Sequence, residues 1–547
     1  MRIVSAQEMY AVEQRAMKSG LAQHTLIENA ANAIAKVVRK RLTGVIGKNI
    51  IVLAGPGNNG EDALGAALVL AKWGANITIH SIRNDNRAED LINSLNNSRQ
   101  NLIKSSQKFL HFLDEIDRLD DKYLVLDGLF GTGFKDRPVS KIYELTNKLN
   151  IMTSRKNTRL EVLAIDIPSG MNPDDGSGRL GILKADCTVS VGAVKKGLLT
   201  SNGLINSGRI IVAPIGIPEE FFPKSLPEIL DSSIISNMLQ LRPSDSHKGT
   251  FGKASVVGGS PNYIGAPLMA ARAAVRSGAG LVSLVTPADL GAQSAEYLPE
   301  AIHEPLPTTI GNRSFDQDST KAFLDFDFNN PTLIGPGIGL DKNTVQFIHE
   351  IINSTGKGKS SSPSIKIVID ADGITCLASL DNWWNKNKDI CVITPHPGEM
   401  ATLCNITTAT VQLNRLKLVQ KKSSEWGVVV VLKGAFTAIG NPNGGISINP
   451  LAWPGLASAG TGDVLSGLIT GLLAQGHEPY SASQVGVYVH GISSLLAADK
   501  LDAIDRGILA TDVADQIPKT IKMLLDGDMD KYLEHQLTIV SEKDYLS

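Results

Sequence analysis

The sequence predicts an α/β chain of two domains, each built on a mostly parallel sheet with helices on both faces. Three observations predict it. The 547 residues are too many for one ordinary hydrophobic core and point to two to four domains. Short β-branched runs with little polar alternation recur between helical stretches, the pattern of strands buried on both faces. Between Pro214 and about Gly249 that alternation lapses into proline-rich, strand-poor chain ("PIGIPEEFFPKSLPEIL"), which reads as an inter-domain connection.

The elements follow in order. Met1 to about Arg41 reads as helical, with apolar residues at helical spacing in "TLIENAANAIAKVVRK". Strands are expected in "NIIVLAG", "ANITIHSI", "KYLVLD", "EVLAID", "CTVSVG" and "RIIVAP". After the connection a second series runs through "KASVVGG", "GLVSLVTP", "PTLIGPG", "IKIVIDAD", "CVITP", "VVVVLKG" and "GGISIN", and a long Ala/Leu/Gly helical tail closes the chain. Ser354 to Ser364, "STGKGKSSSPS", reads as a loop before a strand. No short-period repeat is visible.

Composition narrows the class. Hydrophobic residues make up 42%, charged residues 20%, and the net charge is −2, which is ordinary for a soluble globular protein. The densest basic patch, "KVVRKR" from Lys36 to Arg41, reads as the solvated end of a helix, so neither nucleic acid nor an acidic membrane is an expected partner. Cys187, Cys376, Cys391 and Cys404 form no CxxC pair and read as free thiols in a reducing compartment. The first twenty residues lack a continuous apolar core, and the longest apolar stretches carry a charge and many glycines. A cytoplasmic protein without a membrane span is the expectation.

In an open α/β sheet, ligands sit beyond the carboxyl ends of the strands. In the first half those ends carry Asn58, Asn59 and Asp62 in "GPGNNGED", then Asp127 before the glycine loop "GLFGTGFKDR", then Asp166, Pro168 and Ser169 in "DIPSG". Any one of these suits an ordinary βα turn. Three in one sheet, with glycines that let backbone approach a phosphate, point to a site.

The second half offers "GGSPNYIGAP", "GPGIG" (Gly335 to Gly339), "IDADG", "TPHPGEM" with His396, "LKGAFTAIG" with Lys433, Gly434 and Thr437, and "GLASAGTGDVLSGLITGLL". The small residues after "GGSPNYIGAP" also suit tight helix–sheet packing, and a lone His396 between prolines also suits a structural role. Gly460, Thr461 and Gly462 open a helix whose free N–H groups form an anion site. Asp463, in its first turn, is placed to take a proton from an attacking hydroxyl or simply to face the helix dipole. Donors for developing charge plus a base on the nucleophile are the two parts phosphoryl transfer needs. There is no Walker sequence.

These motifs carry two resemblances. "ENA", "GPGNNGED", "DGLFGTG" and "DIPSG" resemble the NAD(P)H-hydrate epimerase domain over about residues 1–220, a Rossmann-like three-layer α/β fold. That resemblance implies contacts to the hydrate from Asn58, Asn59, Gly60, Glu61 and Asp62, from Gly131, Thr132, Gly133, Phe134, Lys135, Asp136 and Arg137, and from Asp166. It also implies a potassium ion on Asn59, Asp127 and Ser169; Asp62 is the acid–base candidate of this half. The family loop runs Asn-Asn-Gly-Gly-Asp-Gly where this chain has Asn-Asn-Gly-Glu-Asp-Ala. Glu61 therefore either faces a pyrophosphate or serves as a first-turn acid pointing away, and the second is expected.

"HKGTFG", "GGSPNYIGAP", "GPGIG", "TPHPGEM", "KGAFT" and "AGTGD", in that order over 226–547, resemble the ADP-dependent NAD(P)H-hydrate dehydratases of the ribokinase-like group. This implies hydrate contacts from Ala266, Gly339, His396 and Asp463, and ADP contacts from Lys433, Gly434, Ala435, Phe436, Thr437 and Gly462, with Mg²⁺ accompanying ADP. The expected partners are NADHX, NADPHX and ADP, and further copies of the chain in a homo-oligomer. Two other readings remain open: a ribokinase-like kinase of a small alcohol such as a vitamin precursor, and a scaffold whose first half only binds.

Overall fold

The computed structural model of the protein describes residues 1–95, 100–133, 140–178, 181–309, 313–325, 330–355, 366–529 and 537–539. They divide into two compact units, Met1–Leu226 with Leu533–Ser547, and Pro227–Tyr532.

The sheet of the first unit has eight strands, all parallel. Across the sheet they run Leu537–Ile539, Arg209–Ala213, Cys187–Val191, Leu160–Ile165, Tyr123–Gly128, Asn49–Ala54, Asn76–Ser81 and Gln100–Ile103. The order reverses between Asn49–Ala54 and Tyr123–Gly128, so the loops after these two strands diverge and leave a crevice. Alternation along one strand builds the layers. Ile50, Val52 and Ala54 pack with Ile34, Val38, Ala63 and Ala67 of the helices Gln23–Arg41 and Asn58–Lys72. Ile51 and Leu53 face the other way, onto Phe109 and Leu113 of Ser106–Ile116 and Leu145 and Leu149 of Ser140–Thr153. Outside this sheet, Ile3–Val4 pairs with Val194–Lys195 and leads into the helix Ala6–Lys18.

The second unit carries ten strands in the order Glu228–Ile229, Ile446–Ile448, Ala438–Gly440, Val429–Leu432, Ile390–Ile393, Ile367–Ile369, Thr332–Ile334, Lys253–Val257, Leu281–Pro287 and Ile302–Leu306. Pairing is parallel except on either side of Ala438–Gly440. Here the order reverses between Lys253–Val257 and Thr332–Ile334, whose following loops are "GGSPN" and "GPGIG". The helices Gly265–Ser277 and Thr461–Ala474 lie so close that a Cβ on Gly467 would meet the Ala270 main chain, and one on Gly471 the Ala274 main chain. The small residues after "GGSPNYIGAP" thus have a packing role, and that packing fixes where the helix bearing Asp463 begins.

All thirteen strands read from the sequence are present among the described residues, and seven more are added: Ile3–Val4, which interrupts a stretch read as helical, Gln100–Ile103, Val194–Lys195, Glu228–Ile229, Ile302–Leu306, Ala438–Gly440 and Leu537–Ile539. The last falls within the stretch 226–547 that the sequence assigns to the second half, yet it pairs in parallel with Arg209–Ala213 of the first unit's sheet. Among the described residues no helix is long and apolar enough to cross a membrane.

Replacing Gly467 by valine should force the two helices apart. Overpacking of this kind costs about 1–3 kcal/mol, so the unfolding midpoint of the second unit should fall by several degrees. An unchanged midpoint by differential scanning calorimetry would mean that the helices have room to spare.

Candidate functional site

Two polar clusters occupy the two crevices. In the first unit the loop after Asn49–Ala54 turns through Gly55-Pro56-Gly57 straight into the helix Asn58–Lys72, so Asn58 to Asp62 form its first turns. A Cβ on Gly60 would collide with the Gly55 main chain, which is why the turn can be this tight. Arg83, with its side chain 3% exposed, holds the turn from behind. Its Nη1 donates to Gly55 O at 2.9 Å and Gly57 O at 3.2 Å, while the rest of its guanidinium grips Asp85. Glu61 pairs with Arg87 and approaches Arg83 Nη2 at 3.6 Å. Its carboxylate thus engages two guanidiniums beyond the strand Asn76–Ser81, in keeping with a first-turn acid directed away.

Asp127, fully buried at the end of Tyr123–Gly128, accepts from Ser169 Oγ at 2.6 Å, Ser169 N at 2.9 Å and Leu129 N at 3.3 Å. Burial raises its titration to about 6 against the pull of these donors. Asn59 Nδ2 donates to Phe130 O at 3.0 Å, and Phe130 N to Ser169 Oγ at 3.0 Å, so Asn59, Asp127 and Ser169 belong to one network. Asn59 Oδ1 is buried without a hydrogen-bond partner. An unmatched amide oxygen beside a buried carboxylate and a hydroxyl is a donor set that fits a hard cation. Gly131 packs on Asn59, and Thr132 and Gly133 follow in the same loop. Phe134, Lys135, Asp136 and Arg137 lie outside the described residues.

Asp166 ends the strand Leu160–Ile165 and is 8% exposed. It pairs with the buried Lys195. Asp62 is half-buried and makes no ion pair among the described residues. Burial, then the Asp166, Glu13 and Glu61 carboxylates, push it well above the usual carboxylate range. Arg83, Lys195 and Glu13 were not singled out from the sequence. Lys195 in "AVKKG" reads as a surface lysine, and only the fold turns it inward.

In the second unit, Lys433 follows the strand Val429–Leu432, and its Nζ lies 2.8 Å from Asp370 Oδ1 and 3.8 Å from Glu399 Oε2. A Cβ on Gly462 would sit 3.3 Å from the same Nζ, so the "KGAFT" loop and the start of the helix Thr461–Ala474 meet. Asp463 stands in that helix's first turn, where burial and the Asp370 carboxylate raise its titration to about 7. Glu399 is also raised to about 7, by burial and despite Lys433. Asp370 Oδ2 is buried without a partner. Asp370 thus pairs with the Lys433 ammonium, Glu399 approaches it, Asp463 acts on it electrostatically, and Asp372 adds its charge to that felt by Asp463 and Glu399.

His396 caps the helix Pro397–Cys404: its Nδ1 accepts from Gly398 N at 2.9 Å and Glu399 N at 3.1 Å. The ring is 56% exposed, so it has a structural role and still presents an open face. Ser260 Oγ donates to Gly337 O at 2.8 Å, which ties the "GGSPN" loop to "GPGIG", and Ala266 packs near Gly337. Gly339 N donates to Asp372 Oδ2 at 3.0 Å. In the "KGAFT" loop Thr437 Oγ1 donates to Gly434 O at 2.9 Å, and Ala435 is exposed between Gly434 and Phe436, which are held at φ 128° and 52°. Arg415, buried beneath the loop, donates to Leu432 O at 3.0 Å and Lys433 O at 3.2 Å. Its contribution was not legible in "LNRLKL". Among the described residues no three His, Cys, Asp or Glu side chains converge as metal ligands.

Comparison with known proteins gives concordant results. A family model described as NAD(P)H-hydrate dehydratase matches residues 254–519, and one described as YjeF-related protein N-terminus matches residues 23–197. A bifunctional NAD(P)H-hydrate repair enzyme of Moorella thermoacetica is 32% identical over 537 residues, covering 96% of this chain and 97% of the relative. One from Salinibacter ruber is 30% identical over 536 residues, with 94% of each chain covered. Among solved structures, an ADP/ATP-dependent NAD(P)H-hydrate dehydratase from Bacillus subtilis is 27% identical, covers 55% of this chain and 99% of its own, and has a TM-score of 0.47. Kinship along nearly the full length of both chains, and a matching model in each half, lead to one conclusion: the chain belongs to the family of bifunctional NAD(P)H-hydrate repair enzymes.

Proposed function

We infer that this chain repairs hydrated NADH and NADPH: it interconverts the R and S hydrates and dehydrates the S hydrate at the expense of ADP, releasing AMP and phosphate. Epimerisation is assigned to the first unit and dehydration to the second. The observation that carries the reading is Asp463, set in the first turn of a helix whose N-terminal N–H groups have no side-chain cap, with Lys433 beside them.

For dehydration, the ring hydroxyl attacks the β-phosphorus of ADP while Asp463 takes its proton, and the N–H groups at the helix start offset charge on the transferring group. AMP departs. The phosphorylated hydroxyl then leaves as phosphate, pushed by the ring nitrogen, and the neighbouring ring carbon gives up a proton to restore the double bond. Gly462 and Lys433 to Thr437 are the proposed ADP contacts, with Ala266, Gly339 and His396 for the hydrate. The surplus of carboxylates around Lys433 and the unmatched Asp370 Oδ2 fit a magnesium ion held by one or two carboxylates together with nucleotide oxygens. Magnesium would neutralise phosphate charge there.

For epimerisation, Asn58 to Asp62, the loop beginning at Gly131 and Asp166 form the proposed hydrate site. Asn59, Asp127 and Ser169 would hold potassium, which supplies a fixed positive charge beside the substrate's diphosphate. Pairing of Glu61 with Arg87 and Arg83 removes the repulsion a free carboxylate would exert on that diphosphate. A small-alcohol kinase would leave a stable phosphorylated product, so product identity separates the two readings.

The direct test is recovery of NADPH absorbance when its hydrate is mixed with the chain and ADP; no recovery with a folded chain refutes the reading. Asp463→Asn should lower that rate by about two to four orders of magnitude while ADP still binds. In the wild-type chain the rate should fall as pH drops through about 7, as the Asp463 base becomes protonated, and the variant's residual rate should lack this limb. Near-normal turnover of Asp463→Asn would exclude the assigned role.

Exchanging potassium for tetramethylammonium should slow epimerisation and lower the melting midpoint of the first unit while leaving dehydration of the S hydrate unchanged. Equal midpoints in the two salts would remove the cation from Asn59, Asp127 and Ser169.

A further inference from the structure

Lys195 lies in the strand Val194–Lys195, its side chain 2% exposed. Its ammonium donates to Val191 O at 2.5 Å and Ala193 O at 3.1 Å and pairs with Asp166. The carboxylate is held as firmly: Val191 N donates to Asp166 Oδ1 at 3.2 Å, and Asp166 sits at φ 67°, a left-handed conformation that costs a non-glycine residue energy and recurs at functional sites. Burying such a pair is a poor route to stability, since desolvation of both ions offsets most of their attraction. Its place at the strand ends of the crevice asks for another purpose.

The surroundings supply one. Glu13 on the helix Ala6–Lys18 and Asp62 on Asn58–Lys72 both lie within the electrostatic reach of the pair, and Glu61 acts on Asp62. Glu61 has its own guanidiniums. Glu13, Asp62 and Asp166 are left to share one ammonium, and of these three carboxylates it pairs with Asp166. Burial raises Glu13 as well as Asp62, with Lys195 acting against the rise in both. Two neighbouring carboxyl groups in such unequal settings take opposite parts in proton transfer.

We propose that Lys195 is a positioning residue of the epimerase, a permanent counter-ion that makes Asp166 the base and leaves Asp62 the acid. This rests on the epimerase reading of the first unit. Asp166 takes the proton of the hydrate's hydroxyl, and the oxygen's electron pair forms a carbonyl. The bond from that carbon to the ring nitrogen breaks, and the nitrogen keeps its electron pair and takes a proton from Asp62. The open aldehyde turns its other face to the nitrogen. Reclosure returns the proton to Asp62 and the Asp166 proton to the new hydroxyl, so nothing is oxidised, reduced or consumed. The Glu13 carboxylate adds to the negative field at Asp62.

The test follows the purified R hydrate of NADPH by NMR with the full chain and no ADP, so that the second unit is silent. Asp166→Asn should abolish the acid limb of the kcat/KM profile and Asp62→Asn the alkaline limb, each with a loss of roughly 10²–10⁴-fold. Lys195→Met, checked for folding by circular dichroism, should lose about 10- to 100-fold, the worth of a charge-assisted contact, with its acid limb moved to higher pH. If Lys195→Met does not fold, the two aspartate profiles decide. Limbs that are exchanged or shared between the aspartate variants, or a folded Lys195→Met with the wild-type profile, overturn the proposal while the epimerase reading stands. A wild-type chain no faster than spontaneous interconversion removes that reading and the proposal together.

Discussion

In each unit one ammonium faces more than one carboxylate: the buried Lys195 contacts Asp166, and the half-buried Lys433 contacts Asp370 and approaches Glu399. Such an excess of negative charge is costly to enclose, and it can persist only where the sheet holds each group in place at a strand end. The parallel strands do this. Their register brings Asp127 beside the "GPGNN" turn in one unit and Asp370 beside "GPGIG" in the other, at the point where strand order reverses. Burial at these strand ends raises the titrations of Asp127, Glu399 and Asp463, with neighbouring carboxylates adding to the rise in the last two, and Asn59 Oδ1 and Asp370 Oδ2 stay unmatched. Charge left unbalanced inside a crevice is a standing preference for cations and for ligands that carry them.

The main strands were legible because strands buried on both faces must be apolar throughout, as in "NIIVLAG" and "VVVVLKG". The strands that escaped notice are short or lie near a sheet edge. Gln100–Ile103 and Ile302–Leu306 are edge strands with polar or partly exposed residues, and their pairing partners lie outside the local pattern. Much of the candidate site was legible too, because glycine turns, amides and acids at strand ends leave a local signature. The supporting residues left none. Arg83, Lys195 and Arg415 sit in none of the motifs, and each takes its place only when the fold buries its side chain against main-chain carbonyls. His396 shows the opposite case: its place between prolines suits a structural role or a binding role, and its cap hydrogen bonds to Nδ1 leave the rest of the ring exposed.

The strand Leu537–Ile539 has a consequence for biosynthesis. Arg209–Ala213 emerges from the ribosome about 320 residues before its edge partner does. At roughly 5–20 residues per second this edge stays uncovered for about 15–60 s. An uncovered strand is a template for pairing with other chains, so the nascent first unit passes through a window in which neighbouring copies on one polysome compete with the chain's own C-terminus for the same hydrogen bonds. Premature termination anywhere in the second unit would leave that window open for good.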